Sequence, residues 1–331
     1  MEAHLEAAVR AVRIAAHACR EVQRRRVRPD ALEKRDRSPV TLADFASQAV
    51  VCTLLRERLG GDTVIVAEEV AAALREDAAA GMRDEVARIV GEALGRSVCP
   101  ADALDAIDAG AGDPPPDGAP FWTLDPIDGT KGFLRGEQYA VALARITHGR
   151  PDIGVLGCPN LEHDGAPGAL FFAVAGGPVL AMPLDDAAAE PRIVRVATVD
   201  DIAHAVVCES VESGHSDQSG TARVARALGI RAAPLRMDSQ CKYAAVARGA
   251  ASIYLRLPTR ADYQEKIWDH AAGALLVERA GGTVTDATGA QLDFSMGRTL
   301  AHNRGVIATG GGIHDRVVAA VRAALGDPPP T

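Results

Sequence analysis

The sequence predicts an α+β N-terminal half, residues 1–191, followed by an α/β C-terminal half, residues 192–331. Three observations carry that expectation. An apolar face recurs at steps of three and four in the first 26 residues. Short alternating segments joined by tight turns run from residue 139 to 183. From about residue 192, strand-like and helix-like stretches alternate.

Taken in order, Leu5, Val9, Val12, Ala16 and Cys19 mark one face of a first helix. Residues 42–59 read as a second helix, closed by Gly60-Gly61. Thr63-Val64-Ile65-Val66 reads as a strand ending at Glu68-Glu69, and the Ala-rich stretch 71–97 as helical. After the loop Asp113–Gly118, Phe121–Leu124 is a buried strand that ends at Asp125. Strands over 139–147, 152–158, 169–175 and 178–183 have connections short enough for an antiparallel meander. Strands near 204–208, 234–237, 251–257 and 305–309 then alternate with helices near 218–228, 241–248, 267–280 and 313–324. The tail 328–331 is Pro-rich and expected to fray.

Composition narrows the function classes. A net charge of -8 argues against a nucleic-acid binder, whose surface must meet phosphates with Lys and Arg. No apolar run approaches the ~20 residues needed to cross a bilayer, and no secretory signal opens the chain. Acids within the Arg-rich segment 1–26 (Glu2, Glu6 and Glu21) argue against a targeting peptide. The expectation is a cytoplasmic protein. Six cysteines without CxxC spacing read mostly as small core residues. Only four of the 36 basic residues are Lys (Lys34, Lys131, Lys242 and Lys266), and three of these fall in the segments that carry chemistry.

Asp125-Pro126-Ile127-Asp128-Gly129-Thr130 is the most informative stretch. A strand delivers Asp125 to its edge, Pro126 fixes the backbone and Gly129 permits a tight turn. Two carboxylates then share a cavity beside backbone N–H groups, a setting for Mg²⁺ and phosphate. An Asp-rich β-turn without a ligand fits the same residues. Glu68-Glu69 closes a buried strand, where acids without a cation are costly, though exposed loop glutamates would look alike. Asp269, in Trp268-Asp269-His270, and Asp44, in Ser38–Asp44, each read alone as a helix cap. Trp268 reads as core and His270 as helix packing.

The combination is more specific than its parts. The Asp125–Thr130 run, the upstream Glu pair and the downstream Trp-Asp before a Gly-rich helix resemble the inositol monophosphatase superfamily of metal-dependent, lithium-sensitive phosphatases. The likeness spans about residue 5 to residue 322. Lys131–Tyr139, Val211–Ser216 and Met237–Tyr243 resemble its 3'(2'),5'-bisphosphate nucleotidase branch.

The resemblance implies a layered αβαβα sandwich of the inositol monophosphatase/fructose bisphosphatase type. It implies two or three Mg²⁺ ions on Glu68, Asp125, Asp128, Asp269 and the carbonyl of Ile127. It makes Asp44 and Thr130 the catalytic residues that orient and deprotonate water. Thr130, His215, Ser239, Lys242 and Arg256 would bind a small phosphorylated metabolite, adenosine 3',5'-bisphosphate, within sulfur assimilation. No nucleic acid or membrane partner is expected, and the chain would be a monomer or homodimer. Val70 departs from the family, which more often carries Ser or Asp there. Two Mg²⁺ ions roughly 3.5–4 Å apart would acidify a water and stabilise the departing oxygen, so no covalent nucleophile is needed. An inositol phosphate phosphatase would use the same machinery with a polyol pocket. A non-catalytic sensor would be expected to lose an acid or Thr130.

Overall fold

Two long helices open the chain. In α1 (Glu2–Arg26) Val12, Ala16 and Cys19 of the expected face are fully buried against α2 (Pro39–Leu59) and the sheet beyond it, with Ala8 and Ala15 beside them, while Leu5 and Val9 are half-buried. The structure is a computed structural model describing residues 1–26, 39–211, 218–258, 260 and 262–326. After β1 (Ile65–Ala67), the Ala-rich stretch is helical in pieces. Two 3₁₀ turns, Ala71–Arg75 and Asp77–Ala79, precede α3 (Ala80–Leu94). A further helix, α4 (Pro100–Asp108), starts where Pro100 supplies a preset φ and the Cys99 sulfur accepts from the Asp102 N–H at 3.4 Å.

β2 (Phe121–Asp128) leads through the single-turn helix α5 (Thr130–Arg135) into a meander. Its strands are β3 (Ala140–Thr147), β4 (Arg150–Cys158), β5 (Ala169–Val174), β6 (Val179–Pro183) and β7 (Arg192–Val194). The first sheet runs in the order β1 to β7, and only the β1–β2 pair is parallel.

The second sheet is built from β8 (Val207–Glu209), β9 (Leu235–Arg236), β10 (Ile253–Arg256), β11 (Thr283–Thr285) and β12 (Val306–Thr309). Its order is β11-β12-β10-β8-β9, with β8 parallel to both neighbours and β12 antiparallel to both of its own. The helices are α6 (Gln218–Ala227), α7 (Cys241–Ala247), α8 (Ala271–Arg279) and α9 (His314–Leu325).

Side-chain alternation along the strands defines the layers. Val141 and Leu143 of β3 join the core beneath α1 and α2. Ala140, Ala142, Ala144 and Ile146 join a central core with Tyr243 and Ala271 of α7 and α8. On β10, Tyr254 faces that central core while Ile253 and Leu255 pack with Val224 and Val317 of α6 and α9. The architecture is the expected αβαβα sandwich. Helices α7 and α8 meet closely because residue 273 is Gly: a Cβ there would lie 2.3 Å from the Tyr243 ring. No helix among the described residues is long and apolar enough to cross a membrane. Five of the six cysteines are buried and all are free.

Candidate active site

The parallel pairing of β1 with β2 places Ala67 opposite Leu124, so Glu68, just past the end of β1, comes beside Asp125. Further along β2 the register slips: Asp125 pairs with Ala142 but Asp128 with Ala140. Three residues advance on β2 for two on β3. In a regular strand, residues three apart point to opposite faces; this bulge turns Asp125 and Asp128 toward the same side. Gly129, at φ 87, then lets the chain pass beneath Ser239, where a Cβ would lie 2.8 Å from the Ser239 side chain. Ser239 itself sits at φ 66, an uncommon backbone for Ser that the neighbouring α7 start holds in place.

These elements enclose a cavity of about 330 Å³ lined by Glu68, Asp125, Ile127, Asp128, Thr130, Lys131, Ser239, Lys242, Arg256 and Asp269, among others. The Ile127 side chain belongs to the core under α2, so what it offers the cavity is backbone. A groove between α1 and α3, of about 340 Å³, holds none of these residues.

Glu68, Asp125, Asp128 and Asp269 line one cavity, Asp44 does not, and two of the acids stand differently along their helices than the sequence suggests. Asp44 does not start its helix. It lies five residues inside α2, 6% exposed, and is absent from the described cavity lining. Asp269 is no cap either. It ends a 3₁₀ turn, Ile267–Asp269, and α8 begins after His270 with no side-chain capping bond. Both helix-cap readings are therefore overturned, and with them the bland explanation for two of the acids.

Electrostatics separate the site from an ordinary polar cleft. Burial, then the Glu69 and Asp128 charges, push Glu68 up to about 7. Burial likewise lifts Asp269 to about 7, against the pull of Arg256 and His270. Asp125 stands well above the usual carboxylate range through burial and then its neighbours Glu68 and Asp128, and one of its buried oxygens, Oδ1, has no hydrogen-bond partner. Asp44 is raised by burial and by Glu69 and Glu68. Asp128 is raised by burial although Lys242 and Arg256 oppose it, and Oδ2 accepts from the Gln240 N–H at 2.5 Å. Hard oxygen donors crowded together with an orphaned carboxylate oxygen fit a divalent cation such as Mg²⁺.

Among the described residues, the group whose ligand atoms all lie within 4.8 Å of one another is Glu265, Asp269 and His270. That trio is a different kind of cluster. Glu265 already meets Arg256 at 2.7 Å and His270 at 3.1 Å. A second cation beside a guanidinium would meet repulsion.

The same cavity holds cations. Lys242, 3% exposed, lies over the Tyr254 ring at 5.3 Å, and burial lowers its pKa while Asp128 resists. Arg256 ends β10, with Nη2 3.7 Å from Asp269 Oδ2. Neither is a solvated surface cation. Thr130 opens α5 at the cavity, and Ser239 lines it. His215 lies outside the described residues.

Sequence reasoning missed Glu265, Tyr263 and Gln240. Gln240 ties the two halves of the site, donating to the Trp268 carbonyl at 2.9 Å and accepting from the Gly273 N–H at 3.0 Å. Its place in Asp238-Ser239-Gln240 was visible; its partners were not. His270, expected to pack the helix, is a buried polar link, with Tyr243 OH 2.7 Å from Nδ1. Trp268 is core, 6% exposed, as expected.

The family model of the inositol monophosphatase family matches residues 1–325. A 3'(2'),5'-bisphosphate nucleotidase of Emericella nidulans is 47% identical, over 89% of this chain and 90% of its own length. One of Schizosaccharomyces pombe is 41% identical over 99% and 97%, and the 3',5'-bisphosphate nucleotidase 2 of Arabidopsis thaliana 40% over 98% and 97%. Among solved structures, an inositol monophosphatase from Anabaena matches with a TM-score of 0.62 at 20% identity, covering 98% of this chain and 96% of its own. CysQ from Bacteroides thetaiotaomicron matches at 0.61 and 19%, covering 92% and 96%. These two show the shared fold. The chain belongs to the inositol monophosphatase family.

Proposed function

We propose that this chain is a 3'(2'),5'-bisphosphate nucleotidase, a phosphoric monoester hydrolase that converts adenosine 3',5'-bisphosphate to AMP and phosphate. The observation that carries the reading is that one cavity holds both acids and cations. Glu68, Asp125, Asp128 and Asp269 line it together with the enclosed Lys242 and Arg256. A metabolite with two phosphates needs both. Relatives bearing that activity in their names, at 40–47% identity over nearly the whole chain, support the same choice.

Mg²⁺ held by Glu68, Asp125, Asp128, Asp269 and the Ile127 carbonyl would supply positive charge to the phosphoryl oxygens and the leaving oxygen. The protein's own groups do the rest. Thr130 orients the attacking water with its hydroxyl and passes the proton inward to Asp44, which is buried near Glu68 and Glu69 behind the cavity. Water adds to phosphorus, the ester P–O bond breaks, and the departing ribose oxygen takes up a proton from solvent water to become a hydroxyl group. Lys242 meets the second phosphate as a point charge and Arg256 as a fork, with Ser239 and His215 completing the nucleotide site. The reading carries with it lithium sensitivity, a place in sulfur assimilation, a cytoplasmic setting and a monomer or homodimer.

A substrate panel at equal concentration tests the substrate class. Adenosine 3',5'-bisphosphate and its 5'-phosphosulfate counterpart should be hydrolysed faster than inositol 1,4-bisphosphate and inositol 1-phosphate. Equal or faster turnover of the inositol phosphates would reassign the cavity to a polyol.

A further inference from the structure

Glu265 is 4% exposed and sits behind the cation wall. Its Oε2 accepts from Arg256 Nε at 2.7 Å and lies 3.1 Å from His270 Nε2. A carboxylate only accepts, so Nε2 carries a proton, and in the neutral ring Nδ1 then accepts from the Tyr243 hydroxyl at 2.7 Å. Burial works against ionising Glu265, yet His270 and Arg256 hold its carboxyl down at about 2. Tyr243, His270, Glu265 and Arg256 thus form one buried chain, anchored at its far end where α7 meets α8.

The consequence falls on the free end. With Nε tied to Glu265, the guanidinium presents its Nη2 edge forward, 3.5 Å from the Tyr263 hydroxyl and 3.7 Å from Asp269 Oδ2. Without Glu265, the nearest carboxylate is Asp269, and the guanidinium would turn to pair with it. We propose that Glu265, held by His270 and Tyr243, is a positioning residue that aims Arg256 into the cavity and so selects substrates carrying a second phosphate. This rests on the function proposed above.

A double-mutant cycle with separate kcat and KM tests it. Glu265→Gln should raise KM for adenosine 3',5'-bisphosphate about tenfold with kcat changed little, and should raise KM for inositol 1-phosphate much less. In an Arg256→Ala background the same substitution should add nothing. Tyr243→Phe, which leaves Glu265 and Arg256 in place, should give a smaller KM rise in the same direction and the same non-additivity. It serves as the test where Glu265→Gln does not fold. Additive losses, or equal losses on both substrates, would overturn the role of Glu265 alone. No turnover of the nucleotide by the unaltered protein would overturn the proposed function together with this inference.

Discussion

On one wall of the cavity, Glu68 and Asp125 face one another and Asp128, and the protonated forms are favoured by burial and mutual repulsion. On the other, Arg256 is already paired with Glu265 and Lys242 lies on Tyr254. Both walls bury charge. Arg256 is neutralised by Glu265 and set in one arrangement, whereas Glu68 and Asp125 are left in conflict with each other. The difference separates a surface made to wait for an ion from a surface made to hold a fixed shape. Removing a charge should therefore relieve the first and disorganise the second.

The sharpest break in that contrast is Asp128→Asn. It keeps shape and removes a charge that crowds Asp125 but also faces the buried Lys242, so the metal-free protein should melt close to wild type. Turnover should nonetheless fall by about 10³-fold or more, the upper scale for deleting one preorganised electrostatic group. Ordinary activity in that variant, read by phosphate release, would make the Asp a turn residue.

Thr130→Ala comes next. Its hydroxyl acts on water rather than on substrate affinity, so kcat should drop roughly 10²-fold with KM little altered, within the range for a lost acid–base contribution. A change confined to KM would move Thr130 to the binding wall.

Lys242→Ala tests the other wall. Losing a charged hydrogen bond should cost about 1.5–3 kcal/mol in kcat/KM for adenosine 3',5'-bisphosphate, and much less for inositol 1-phosphate. Equal losses on the two would assign Lys242 to fold support.

The last effect is on stability and carries a sign. In the metal-free fold Glu68 and Asp269 keep their protons up to about 7, whereas in the unfolded chain they release them at roughly 4. The folded state binds more protons across that window, so stability is lost as pH rises from about 4 to about 7. Magnesium removes the penalty. Melting curves should show a larger magnesium-induced rise at pH 8 than at pH 5.5, of about 2.7 kcal/mol at a hundredfold excess over Kd. The reverse order would contradict the waiting wall.

What could be seen in the sequence follows the same division. Asp125–Thr130 was legible because strand end, bulge and turn lie within six contiguous residues. Glu265 was not, since its meaning comes from Arg256, nine residues back on a strand, and from His270 on a different element. Asp44 and Asp269 resembled caps because Asp near a helix start is an ordinary sight. Pro39 moved the helix start away from Asp44, and a 3₁₀ turn moved α8 past Asp269. The three-residue strands β7 and β11 are too short for alternation to show. The meander was plain because β3, β4 and β5 each alternate between two enclosed cores.

The most direct measurement is phosphate release from adenosine 3',5'-bisphosphate by the purified protein, with magnesium titrated against a chelator and the nucleotide product identified. AMP and phosphate should appear in equal amounts, with turnover that rises with free Mg²⁺ and none in excess chelator. Full turnover in excess chelator, or no release at any Mg²⁺ concentration, would contradict the proposed function.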